Sequence, residues 1–268
     1  MTQHTSKPTA PADFLAMIPQ PLPRAPASVG PCGSAECSDG WIHTPAGVTR
    51  CPACHAQTRT AHLAAQYARA GVEGTLYHLT WADVRIEHDS WRWIRAAGAG
   101  IRSVLADCVN IAMVGEKGRG KTQAGMLLAK DAIDAGHSAL VVSWAEWVDE
   151  VPSDYTLRTK TQVQHITTLA APDLLVLDDV GAGASAAGKL ERKLFTRVIS
   201  ARYNRRLPTV LTANRTRAQL EQDMGDRAFD RIAHACKWLV FDGPAYRAEV
   251  EQSRVKTTLH RIDQAARR

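Results

Sequence analysis

No apolar run in this sequence approaches the ~20 residues a helix needs to cross a bilayer, so a membrane-spanning helix is excluded. No secretory signal opens it either, and a cytoplasmic protein is expected. Internal repeats and heptad seams are absent, which excludes solenoids and coiled coils. Aromatic residues make up only 6% of the chain. What is there suffices for one substantial core and a small appendage: 268 residues, 45% of them hydrophobic. The net charge of +6 is modest, but it is unevenly placed.

Gly115-Glu116-Lys117-Gly118-Arg119-Gly120-Lys121-Thr122 matches the pattern G-x-x-x-x-G-K-[ST]. The apolar run Ile111–Val114 before it reads as a buried strand, and Gln123 to Ala135 reads as a helix closed by Gly136. A strand, loop and helix at this spacing aim several backbone N–H groups at the positive end of the helix, an arrangement that binds polyphosphate. Lys121 would reach the β- and γ-phosphates of ATP, and the Thr122 hydroxyl would ligate Mg²⁺.

Downstream, Asp173–Asp179 is an apolar strand ending in two carboxylates, Asp178 and Asp179. Beside a phosphate loop, the first acid suits the Mg²⁺ shell and the second suits polarising the attacking water. The strand Thr209–Thr212 ends at Ala213-Asn214. Asn214 either caps the following turn or positions water against the γ-phosphate. Arg227 and Arg231 lie one helical turn apart, and Arg247 follows the strand Trp238–Phe241. Each is either a solvated surface arginine or a fork onto phosphoryl oxygens.

The order GEKGRGKT, LLVLDDVG, TVLTANRT, MGDRAFDRI, FDGPAYR resembles the ATPase domain of DnaC/DnaI-type helicase loaders, members of the AAA+ class. The resemblance covers about residue 75 to residue 250. It implies that Asn214 is the first sensor, that Arg227 is an arginine finger acting on ATP of a neighbouring subunit, and that Arg247 is the second sensor in cis. Arg231 is the alternative finger. It also implies strand order 5-1-4-3-2 and self-association through the ATP site. Many AAA+ proteins carry Glu where this chain has Asp179. The shorter acid predicts slow, switch-like turnover, below about 10 per second.

Cys32, Cys37, Cys51 and Cys54 form C-x4-C, a thirteen-residue loop, then C-x2-C. The Cys51-Pro52-Ala53-Cys54 turn lets two thiolates share one ion, and four thiolates close a structural Zn²⁺ site. His43 and His55 are alternative ligands, although His55 adjoins Cys54. The competing reading is unpaired thiols or two disulfides. Cys108 and Cys236 stand alone in apolar contexts and read as small core residues.

Residues 1–30 are Pro-rich and expected to be disordered, and Pro31 brings the run to seven prolines. The apolar island Asp13–Ile18 within them is open between a docking peptide and a segment packed on the cysteine module. Residues 31–70 read as the zinc module with a linker helix over Gln57–Ala70, residues 71–250 as the ATPase domain, and 251–268 as a basic tail. Ser143-Trp144-Ala145-Glu146 reads as a capping box that starts a helix. Lys189 to Arg206 carries seven basic residues against one acid, Glu191, with apolar residues at helical spacing. One face should pack on the sheet. The other is either a solvated face or a basic stripe for single-stranded DNA, touching phosphate rather than bases.

The expected fold is α/β: a parallel AAA+ P-loop sheet with flanking helices, plus a small N-terminal zinc-ribbon-like module. The leading functional expectation is an ATP-dependent loader that delivers a replicative DNA helicase onto single-stranded DNA. An IstB-like transposition helper shares most of the motifs, and the cysteine module upstream of the core favours the loader. A zinc-containing adaptor with a nucleotide switch is the third reading.

Overall fold

A computed structural model of the chain describes residues 32, 37–38, 40–45, 47–72, 74–84, 88–157, 160–181, 188–242 and 259. The expectations for residues 1–30, for Arg247 and for the basic tail apart from Leu259 lie outside these residues. The chain divides into two compact units, Met1–His62 and Leu63–Arg268.

The first unit is an antiparallel sheet of β1 (Cys37–Ser38), β2 (Trp41–Thr44) and β3 (Gly47–Arg50), in that order. The β2–β3 register pairs Trp41 with Arg50 and His43 with Val48. Helix α1 (Pro52–Arg69) follows at once. It starts five residues before the expected Gln57, because Pro52 is suited to a first helical position that needs no N–H. Cys54 therefore sits in its first turn rather than in a preceding loop.

In the second unit, the segment after α1 makes two 3₁₀ turns, Gly74–Leu76 and Trp81–Asp83. Helices α2 (Asp89–Ala99) and α3 (Ile101–Ala106) lead into an alternating series: β4 (Asn110–Val114), α4 (Lys121–Asp134), β5 (Ala139–Ser143), α5 (Trp144–Leu157), α6 (Gln162–Ala170) and β6 (Leu174–Asp178). The series continues with α7 (Lys189–Asn204), β7 (Thr209–Ala213), α8 (Arg217–Met224), α9 (Asp226–Ala233) and β8 (Cys236–Val240). Strand β8 begins two residues before the expected Trp238. All pairings in this sheet are parallel, in the order β5-β6-β7-β4-β8. Counted as core strands one to five and read from the β8 edge, this is the 5-1-4-3-2 order implied by the resemblance. Among the described residues no helix is long and apolar enough to cross a membrane.

The strands alternate their side chains between two cores, as a sheet covered on both faces requires. Ile111, Met113, Val176 and Val210 join Trp91, Ile94, Leu127 and Leu128 on the α2–α4 side. Ala112, Val114, Leu175, Leu177 and Leu211 join Trp144, Leu194, Phe195 and Val198 on the other. Each fully buried side chain of this size contributes roughly 1.5–3 kcal/mol.

Helix α7 takes one residue out of the expected basic stripe. Arg202 is 1% exposed, and its guanidinium donates to Thr209 Oγ1 and to the carbonyls of Leu169, Pro172, Asp173 and Pro208. Burial lowers its pKa to about 9, which still leaves it cationic at neutral pH. Arg205 donates to the Ala170 carbonyl and Arg192 to those of Gln222 and Asp223. Arg197 bonds the Gln162 side chain. Four of the seven basic residues thus hold neighbouring elements together, although of the seven only Arg202 is buried and the other six remain exposed. Cys108 also departs from its expected place in the core: it is half-buried, and its thiol donates to the Arg206 carbonyl.

Arg202→Met keeps the apolar stem but leaves dry carbonyls at the end of α6 and before β7. It is expected to lower unfolding stability by about 3 kcal/mol, read from the midpoint of urea denaturation.

Candidate functional site

The loop 115–120 runs from β4 into α4 at the carboxyl edge of the sheet. Two glycines are required by space as well as by backbone. A Cβ on Gly115 (φ 132°) would lie 2.5 Å from the Phe241 carbonyl oxygen, and one on Gly120 (φ 90°) 2.6 Å from Trp91 Cζ2. Trp91 closes the loop from the α2 side, its ring edge-on to Phe241 at 5.6 Å. Its indole N–H is buried without a hydrogen-bond partner, as are Arg119 Nε in the loop and His88 Nε2 at the start of α2. Glu116 pairs with Arg119 at 2.6 Å, which lowers the Glu116 pKa.

Lys121 is 5% exposed. Its Nζ donates to the carbonyls of Gly115 (2.8 Å) and Glu116 (2.6 Å) and to Asn214 Oδ1 (2.8 Å). Burial lowers its pKa, opposed by the charges of Asp179 and Asp178. Thr122 Oγ1 donates to Asp178 and sits 3.0 Å from both carboxylate oxygens, so hydroxyl and carboxylate converge as an Mg²⁺ shell needs. Asn214 Nδ2 donates to Asp179 Oδ1 at 2.5 Å. One amide at the tip of β7 therefore bridges the loop lysine and the second acid. Burial and the neighbouring Asp178 raise the Asp179 pKa, opposed by Lys121 and Arg215.

Sequence reasoning did not single out Thr212. Its Oγ1 donates to Asp178 Oδ1 at 2.6 Å and accepts the Asp179 backbone N–H at 2.9 Å. A hydroxyl two residues before Asn214, at the carboxyl end of the strand Thr209–Ala213, was the available signal. Arg215, paired with Asp223 at 3.1 Å, was missed as well. Arg227 is exposed near the start of α9 and makes no side-chain hydrogen bond among the described residues. Arg231 is tied to Ser200 Oγ at 2.8 Å, away from the phosphate loop.

A family described as IstB-like ATP binding protein matches residues 99–254, more than half of the chain, with the phosphate loop, Asp178, Asp179, Thr212 and Asn214 inside the match. The chain belongs to the IstB-like ATP-binding family. An ATP-binding protein of insertion sequence IS21 from Pseudomonas aeruginosa is 28% identical over 144 residues, covering 52% of either chain. This IstB-like chain thus spans about half the length of the curated relative it matches. Among solved structures, the DnaC helicase loader superposes with a TM-score of 0.53 at 19% identity, over 63% of this chain and 100% of that one. AMPPCP-bound DnaA from Aquifex aeolicus gives 0.51 at 18%, over 68% and 55%. Likeness at this identity is one of fold, and the fold is AAA+.

The IstB-like core is accompanied by a second candidate site in the N-terminal unit. The sulfurs of Cys32, Cys37, Cys51 and Cys54 all lie within 4.8 Å of one another, with Cys32–Cys51 at 3.6 Å and Cys37–Cys54 at 3.5 Å. A tetrahedral ion with ~2.3 Å metal–sulfur bonds places its sulfurs about 3.8 Å apart. All four thiols are free, so the two-disulfide reading fails. His55 is exposed outside the cluster, and the His43 side chain lies outside the described residues. The Cys51 pKa is lowered to about 7, chiefly by the Cys54 backbone N–H. That of Cys54 is pushed up to about 12 by the sulfurs of Cys32 and Cys37 and by burial. Crowded thiolates resist sharing negative charge, and a dication at their centre removes the conflict. The cluster could hold a metal ion such as zinc.

Proposed function

We propose that this IstB-like chain is an ATPase that uses slow ATP turnover to assemble on DNA and engage a DNA-processing enzyme, acting as a transposition helper. The observation that carries this reading is the bridge from Lys121 through Asn214 to Asp179, beside the Thr122–Asp178 pair. Residues 115–122 would hold the phosphates of ATP. Thr122 and Asp178 would hold Mg²⁺, whose charge offsets that of the polyphosphate. Asp179 accepts the proton side of the attacking water, and Asn214 fixes its carboxylate while sensing the γ-phosphate. Arg227, exposed on α9, completes the site of a neighbouring subunit, with Arg247 as the second sensor in cis. The IS21 relative supports transposition as the setting.

The second reading is a helicase loader that delivers a replicative helicase to single-stranded DNA. The cysteine module upstream of the core favours it. In either reading residues 31–70 form that module and residues 71–250 the ATPase domain.

Lys121→Ala is expected to abolish ATP binding. Arg227→Ala should bind ATP normally yet lose hydrolysis, and mixing it with Asp179→Asn protein should restore turnover. No recovery in the mixture rules out a finger acting in trans.

Metal analysis of purified protein is expected to find one Zn²⁺ per chain. Replacing Cys51 and Cys54 together with Ser should release it and unfold the N-terminal unit, with ATP binding retained.

Light scattering after size-exclusion chromatography, with and without ATP, separates the two clients. The helper reading predicts an ATP-dependent complex with the transposase of the host's IS21-type element. A defined complex with the replicative helicase instead makes the loader reading the correct one.

A further inference from the structure

At the opposite end of the sheet, where β4, β7 and β8 begin, lies a cavity of about 430 Å³. That is the size range of small-ligand sites. Its floor is the Asn110 side chain, which donates to the Ile232 carbonyl (3.2 Å) and accepts the Thr209 N–H (2.8 Å). Arg206, Arg231, Tyr203 and His234 stand around it, together with Asp107 and Cys108. The Tyr203 and His234 rings meet edge to face at 6.4 Å, and Arg231 lies over Tyr203 at 6.0 Å.

Three helices, α3, α7 and α9, end here, and helix ends carry partial negative charge that repels anions. Five carbonyls at and beside this cavity are already occupied. Those of Leu105, Tyr203, Arg206, Ile232 and Ala235 accept from Cys108 N–H, Arg206 N–H, the Cys108 thiol, Asn110 Nδ2 and Asn110 N–H. The Arg206 guanidinium is exposed and makes no side-chain hydrogen bond among the described residues; Arg231 uses one N–H on Ser200. Arg206 and Arg231 thus keep free N–H donors beside aromatic surface, with the Asp107 carboxylate as an acceptor in the same lining. Backbone strain marks the same place. Of the three non-glycine residues with positive φ among those described, Asp179 is at the ATP site, and Cys108 (57°) and Arg206 (55°) are here.

We propose that this cavity is a second nucleotide-binding site, separate from the phosphate loop. Arg206 and Arg231 take the phosphate, the Tyr203–His234 surface takes the base, and Asp107 accepts from a sugar hydroxyl or a base amino group. The occupant is a nucleotide, either free or as the phosphorylated end of a single strand.

Cys108 reports occupancy directly, because its half-buried thiol lines the cavity. The full-length protein is alkylated with iodoacetamide, with and without AMP or 5′-phosphorylated oligo-dT, and Cys108 modification is followed by peptide mass spectrometry. At ten times Kd about nine sites in ten are filled, so Cys108 labelling is expected to slow about tenfold. Protection by AMP assigns the site to free nucleotides, and protection by the oligonucleotide alone assigns it to strand ends. Arg206→Ala and Tyr203→Ala should each weaken protection about tenfold or more, with folding checked by circular dichroism. The Lys121→Ala protein should retain full protection, so the result stands apart from the fate of the ATP-site reading. Unchanged labelling with both probes overturns the proposal. So does protection that disappears in Lys121→Ala or survives intact in Arg206→Ala.

Discussion

Parallel pairing of β4 with β7, and of β7 with β6, is the constraint on which the carboxyl edge of the sheet depends. Val114 pairs with Ala213 and Leu177 with Leu211, so the three chains leave the sheet at nearly the same level. Side chains in a strand alternate faces, and a slip of one residue would turn Asn214 and Asp178 away from the loop. The register is held by apolar residues committed to two separate cores. It is held too by Asn110, whose side chain ties the end of α9 to the start of β7. Site geometry is in this sense a by-product of core packing: residues that never approach a nucleotide determine where the Lys121 ammonium and the Asp179 carboxylate meet.

Charge in this molecule serves structure as much as chemistry. A guanidinium has five N–H donors in one plane and remains protonated under burial that would neutralise a lysine. Arg202 uses that property to join α6, α7 and the start of β7 without any carboxylate. Placing positive charge at the carbonyl end of α6 also matches the helix dipole. Net charge therefore counts one cation, Arg202, that α7 does not offer to a polyanion.

How far the sequence was legible follows from the range of the forces involved. Strand–loop–helix spacing, the apolar strand ending in Asp178-Asp179 and the amide at Asn214 are local patterns, and the folded chain brings those residues together. Strand boundaries are legible to within two residues for the same reason. The start of α1 at Pro52 was misread because a cysteine-bearing turn and a helical first turn have similar composition. The fates of Arg192, Arg197 and Arg202 depend on acceptors some thirty residues away, which no periodicity reveals. Thr212 escaped notice since threonine is ordinary in a strand; only its two hydrogen bonds distinguish it.

Asp179 occupies left-handed backbone, φ 57°, where the chain leaves β6 for the turn at Gly181. Asp and Asn tolerate that region, because their short side chains bond locally, whereas most other residues incur roughly 1–2 kcal/mol. A longer acid at this position would gain reach toward a γ-phosphate and lose backbone ease. The two demands oppose each other in a single residue, so a longer side chain here would first require the turn to be remodelled.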